Sequence, residues 1–177
     1  MIRKTAAGAT LTLAAAALPF AIPAHALDGF SIEAGRGDER SELVRGGLQW
    51  KWKRRFFTEG RWYVAGYWDA SVGVWTTDKS VIDFGLTPVF RLQHSDTAGP
   101  YYEAAIGFHL LSDLSVSRTR IFGSNFQFGD HLAAGWRFGG LGRYDVSLRL
   151  QHLSNGGLKK PNPGINFLVL RFAYHFY

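Results

Sequence analysis

Val44-Arg45-Gly46-Gly47-Leu48-Gln49-Trp50-Lys51-Trp52-Lys53 alternates in character without exception over ten positions. Val44, Gly46, Leu48, Trp50 and Trp52 fall on one parity, and Arg45, Gly47, Gln49, Lys51 and Lys53 on the other. Side chains of a strand point to opposite faces in turn, so one face here is oily and the other wet. The same period-two pattern recurs over residues 62–74, 82–92, 102–110, 132–138, 144–150 and 168–176, with a weaker first segment near 30–35. Eight strands are predicted.

Strands of soluble sandwiches usually run five or six residues. These segments run about nine to thirteen, the length that crosses a bilayer at a tilt. The wet parity carries acids and bases together: Arg45, Lys51, Tyr67, Asp69, Asp83, Arg91, Glu103, His109, His131, Arg137, Arg149 and Arg171. Such a mixture suits a narrow barrel filled by paired polar side chains. A soluble lipocalin-like barrel would turn the oily face inward, and the bulky aromatics would overfill so small a lumen. The fold class is therefore all-β, an eight-stranded antiparallel transmembrane β-barrel of the bacterial outer membrane.

Composition agrees. The 177 residues include 21 Gly, 15% aromatic and 19% charged residues and no Cys. Disorder is excluded by the aromatics, and a disulfide scaffold, a thiol nucleophile or a Cys-ligated metal by the missing Cys. Residues 1–26 have a basic start at Arg3-Lys4, an Ala- and Leu-rich stretch and a small-x-small site at Ala24-His25-Ala26. This is the pattern of a secretory signal peptide cleaved before Leu27. An anchoring helix is disfavoured because the apolar region is short and broken by Pro19 and Pro23. Residues 27–177 are then a single barrel, and the net charge falls from +6 to +4 because Arg3 and Lys4 leave. That balance gives no reason to expect nucleic acid.

With eight strands, both termini are expected on the periplasmic side. Short turns are predicted at 54–59, 94–99 and 139–142, and outer loops at 36–42, 76–79, 112–123 and 155–165. Trp50, Trp52, Trp62, Tyr102, Trp136, Phe138, Tyr144, Tyr174 and Phe176 then form one interfacial girdle at the inner ends. His109, His131 and His175 fall on the inward parity and His94 in a turn, so lumen hydrogen bonding rather than a metal cluster is expected. No cofactor is predicted.

The oily parity is interrupted near the outer ends of the last two strands. His152 and Ser154 follow Leu150 on one strand, and Asn166 precedes Leu168 on the next. The oily band could simply end at Leu150, in the headgroup region. Any His-x-Ser in a strand shares a face, so that spacing alone is weak evidence of catalysis. A nucleophilic serine does need a base within reach, and the base needs an acceptor on its other nitrogen.

His152-Leu153-Ser154-Asn155, followed by Asn162-Pro163-Gly164 and a last strand ending Tyr174-His175-Phe176, resembles the outer-membrane lipid A 3-O-deacylase family of PagL type. The match is strong over residues 152–176, with Phe128-Gly129-Asp130 a further echo. The resemblance implies hydrolysis of the ester holding the 3-hydroxyacyl chain at position 3 of lipid A. It also implies Ser154 as nucleophile, His152 as base, oxyanion donors from Asn155 and the Gly156-Gly157 backbone, and Asn162 shaping the loop. The family's acid sits two residues after the Gly, where this chain has Asn166. An amide oxygen can fix the imidazole tautomer but cannot offset imidazolium charge. If Phe138 pairs with Tyr144, Asp130 lies opposite His152 and is the candidate compensating acid; a solvated Asp130 at the rim, or one near Arg149, is as consistent with the pattern.

Two further readings stand beside the hydrolase. One is a catalytically weakened or inactive structural barrel marked by Asn166; the other is acyl transfer to a different acceptor. Lys159, Lys160, Arg118 and Arg120 could pair with lipid A phosphates, although loop charges of this kind are most often simply solvated. Expected partners are lipid A or lipopolysaccharide, the surrounding outer-membrane lipids and the barrel-assembly machinery, with a homodimer left open.

Overall fold

Period-two alternation becomes eight long strands in the computed structural model, which describes residues 27–176. The expected signal peptide at 1–26, and Tyr177, lie outside the described residues. The strands are β1 (Gly29–Gly37), β2 (Glu42–Lys51), β3 (Tyr63–Thr76), β4 (Ser80–Gln93), β5 (Gly99–Leu111), β6 (Phe126–Phe138), β7 (Tyr144–Ser154) and β8 (Ile165–His175). Each pairs antiparallel with its chain neighbours, and β1 pairs β8 from Gly29–His175 to Gly37–Phe167, which closes the barrel. Closure removes both sheet edges, so no strand within hydrocarbon leaves its backbone groups unpaired.

Parity decides what faces where. Even-numbered residues such as Ile32, Val44, Leu132 and Leu150 stand outward and are 59–67% exposed, forming an apolar belt that only lipid can cover. Odd-numbered polar residues are buried in the lumen, where charges must pair because little water reaches them. Glu33 meets Arg149 at 2.9 Å, Arg45 at 3.2 Å and Arg171 at 3.3 Å. Arg45 also reaches Asp83 at 2.9 Å, and Asp83 holds His109 Nδ1 at 2.8 Å. Arg91 bridges Glu103 at 2.7 Å and Asp145 at 2.8 Å. His175 Nε2 lies 2.6 Å from Asp145. Lys51 ends β2 at the mouth of the lumen, exposed at the rim but lining the same cavity as Gln49, Tyr67 and Arg91.

The lumen is not polar throughout. At the end away from the termini its odd-parity residues turn apolar, and Leu43, Trp75, Leu153, Ile165 and Phe167 pack with Val116 and Phe122 from the β5–β6 loop. That loop therefore plugs the barrel with a small hydrophobic core. Aromatics gather at the other end: Phe138, Tyr144, Tyr174, Phe30 and Phe176 form a chain of ring contacts 5.4–6.1 Å apart. The β2–β3 connection is longer than the expected 54–59, spanning residues 52–62. Trp52 packs edge-on against Phe90 at 4.9 Å and Trp62 stacks on Tyr102 at 6.0 Å, so both rings join neighbouring strands by packing outside the named strands.

Candidate active site

Three side chains that break the oily parity share one face and one end because antiparallel register aligns them. His152 of β7 pairs with Asn166 of β8 on one side and Asp130 of β6 on the other, while Ser154 pairs with Phe128. All lie on the outer wall at the end away from the termini. His152 Nδ1 is 2.8 Å from Asn166 Oδ1. A carbonyl oxygen only accepts, so Nδ1 carries a proton, and the neutral ring then has its lone pair on Nε2, the form in which imidazole acts as a base. Ser154 stands two residues along on the same face, about 6.6 Å away at Cα, a gap that an imidazole and a hydroxymethyl group can bridge. The Gly156 N–H donates to Ser154 Oγ over 3.4 Å.

Residues 155–164 form a loop that folds over this end. Asn155 is fully buried, and its backbone N–H donates to Asn162 Oδ1 at 3.0 Å. Its side-chain amide donates to the Lys159 carbonyl at 2.6 Å and Ser124 Oγ at 3.3 Å, while its Oδ1 accepts from the Gly157 N–H at 3.0 Å. The Asn155 and Gly157 N–H groups are thus engaged in building the loop, whereas that of Gly156 donates to the serine oxygen. Gly164 closes the loop at φ +62°, where a Cβ would stand 2.7 Å from His152 Cε1. Glycine is required there twice over, for its backbone and for the ring beside it.

The expected compensating role of Asp130 is not supported by the contacts. The register does set it opposite His152, but Nδ1 is held by Asn166, and among the described residues the Asp130 carboxylate makes no hydrogen bond or ion pair. Arg120, expected to reach lipid phosphates, is spent inside the protein and only 16% exposed. It donates to the Gly164 carbonyl and pairs with Glu39 at 3.3 Å and Asp38 at 3.7 Å. The Ser117 hydroxyl donating to Glu39, with Arg120 beside it, holds that carboxyl below its ordinary range although its slight burial opposes this. Arg118 is 89% exposed and lies 3.8 Å from Asp78, toward the β3–β4 loop. Lys159 and Lys160 are exposed on the 155–164 loop.

Asp38, which the linear pattern does not single out, joins the cluster through barrel closure. Its Oδ2 accepts at 3.0 Å from both the backbone N–H and the side-chain Nδ2 of Asn166. An open depression of about 1050 Å³ begins at Asp38, Asp130, His152 and Asn166 and runs along Phe90, Ile106, Leu132, Leu150 and Leu168. Polar and apolar side chains thus line one depression, as expected of a site for an amphipathic molecule.

Polar groups clustered on a wall that meets hydrocarbon cost free energy that a purely structural barrel would avoid. The class defined by this fold and this site is a membrane β-barrel enzyme. The chain belongs to the lipid A 3-O-deacylase (PagL) family, whose model matches residues 43–175. It is 32% identical over 141 residues to the lipid A deacylase PagL of Pseudomonas aeruginosa, covering 76% of this chain and 79% of that one. It is 43% identical over 76 residues to the lipid A deacylase PagL of Bordetella bronchiseptica, covering 43% of this chain and 41% of that one. The crystal structure of the outer membrane enzyme PagL superposes with a TM-score of 0.76 at 30% identity, over 82% of this chain and 98% of that one. A de novo designed transmembrane β-barrel matches at a TM-score of 0.51 and 12% identity, over 85% of this chain and 96% of that one, a likeness of fold alone.

Proposed function

We infer that this chain is a serine esterase that removes the ester-linked 3-hydroxyacyl chain at position 3 of lipid A, in the outer leaflet of the outer membrane. In this reading both termini are periplasmic and the loop end faces the cell exterior. Ser154 Oγ attacks the acyl carbonyl while His152 Nε2 takes its proton. Collapse of the tetrahedral intermediate breaks the ester bond, and His152 returns the proton to the departing sugar hydroxyl. Water then attacks the acyl-enzyme, again giving a proton to His152, and the free 3-hydroxy fatty acid leaves with Ser154 restored. The Gly156 N–H, which approaches Ser154 Oγ, is the candidate donor to the developing oxyanion.

The observation that carries this reading is the 2.8 Å contact of His152 Nδ1 with Asn166 Oδ1 on the lipid-facing wall, with Ser154 on the same face. Lipid A esters lie laterally in the leaflet, so a site on the outside of the barrel meets them without drawing the lipid out of the membrane. The apolar run of the adjoining depression offers a bed for the acyl chain. Lys159 and Lys160, exposed on the 155–164 loop, are cations available to headgroup phosphates.

Mass spectrometry of lipid A from cells expressing the chain tests the proposal. The expected result is loss of one 3-hydroxyacyl group and release of the free acid, both abolished in Ser154→Ala and His152→Ala. Unmodified lipid A with the intact chain would favour an inactive barrel, and transfer of the acyl group to another acceptor would replace hydrolysis by acyl transfer.

A further inference from the structure

We propose that Asp38 is a positioning residue for the base, acting on His152 through the Asn166 amide. This rests on the esterase reading above. A primary amide can be turned two ways: with its oxygen toward the imidazole it holds Nδ1–H, and with its NH2 there it would demand the opposite tautomer. Asp38 decides between them. Its carboxylate only accepts, and it takes Asn166 Nδ2–H at 3.0 Å, so turning the amide over would set oxygen against carboxylate. The backbone N–H of Asn166 donates to the same Oδ2 at 3.0 Å, which locates the carboxylate from a second direction. Asn166 Oδ1 is thereby aimed at His152 Nδ1, 2.8 Å away.

Charge accompanies orientation. Asp38 polarises the amide so that its oxygen becomes a better acceptor when the imidazolium forms, and supplies a negative charge behind a neutral side chain, partly offset by Arg120 at 3.7 Å from the same Oδ2. The turn that carries it is held in an uncommon shape, with Glu39 at φ 56° and Arg40 at φ 60°. Arg120 secures it by pairing with Glu39 and donating to the Gly164 carbonyl. One guanidinium thus ties the carboxylate's turn to the loop that borders the imidazole.

The test is a double-mutant cycle on purified full-length barrel, with kcat and KM measured on lipid A in mixed micelles and folding followed by heat-modifiable gel mobility. Asp38→Asn is expected to lower kcat by about tenfold to a hundredfold with KM within about twofold, because tautomer and charge act on the chemical step. In an Asn166→Glu background the sign reverses: two carboxylates would adjoin, and Asp38→Asn is expected to raise kcat by about threefold to tenfold. A residue that merely braced the loop would lower activity in both backgrounds. Unchanged kcat in the first background, or an equal fall in both, overturns the proposal; should Asp38→Asn fail to fold, Asp38→Ser takes its place in the same cycle. Activity that survives in Ser154→Ala would sink the esterase reading itself, whereas an inactive Ser154→Ala with an indifferent Asp38→Asn sinks only this one.

Discussion

Adding one methyl group at Gly164 separates catalytic geometry from barrel stability. In Gly164→Ala the new Cβ would stand 2.7 Å from His152 Cε1 and 3.2 Å from Nε2. Ordinary contact begins at 3.4 Å, so the ring must retreat by about 0.7 Å. A retreat directed away from Asn166 would stretch the 2.8 Å bond to as much as about 3.5 Å, past a useful hydrogen bond. Misplacing a base by this much costs about a hundredfold in rate. The φ of +62° adds a backbone cost of about 1–2 kcal/mol for any residue with a Cβ. For a chain of this size that lowers the unfolding midpoint by about 2–8 °C, leaving the barrel folded at assay temperature. Deacylation rates on lipid A micelles, beside thermal gel-mobility midpoints, check both numbers. A Gly164→Ala protein with native turnover would refute the claim that this glycine sets the position of the base.

Other consequences follow from the same geometry. Glu33 accepts three guanidiniums in the lumen, so Glu33→Ala should destabilise the barrel by about 3–5 kcal/mol, read as a lower urea midpoint for folding into vesicles. Leu170→Arg puts a charge on the lipid face near mid-strand and should cost about 2–4 kcal/mol in the same assay, whereas a barrel with its oily face inward would respond quite differently. Truncating the plug with Phe122→Ala should cost about 3–5 kcal/mol and loosen the loop that presents Arg120, which hydrogen-exchange protection at residues 112–125 would reveal. Glu39 has a folded pKa held below its ordinary 4.5, so its contribution to the 38–41 turn is complete above that pH and lost as pH falls through the lower folded value. Protection factors of those amides, corrected for intrinsic exchange, should fall with acidification in the native chain and show no such step in Glu39→Gln.

Residue order alone determined the barrel, because alternation is a local property: Val44 to Lys53 declares two faces whatever the strand pairs with. It also determined that His152, Ser154 and Asn166 share the outer face, since parity and strand direction suffice for that. Even the pairing of Asp130 with His152 follows from a short turn whose length sets the register. What it could not decide is which of several polar neighbours touches the imidazole. Asp130 is cross-strand to His152 yet makes no bond with it, while Asp38 lies 128 residues from Asn166 and reaches it only because β1 closes on β8. Likewise, a loop arginine reads as a solvated charge until the loop's fold brings Glu39, Asp38 and the Gly164 carbonyl around it. The apolar lumen cap is not legible in the sequence for the same reason, since Val116 and Phe122 belong to a loop with no periodicity and find Trp75 and Phe167 only in three dimensions. Alternation is written in neighbours along the chain, whereas side-chain partnership depends on distances that exist only once the barrel has closed.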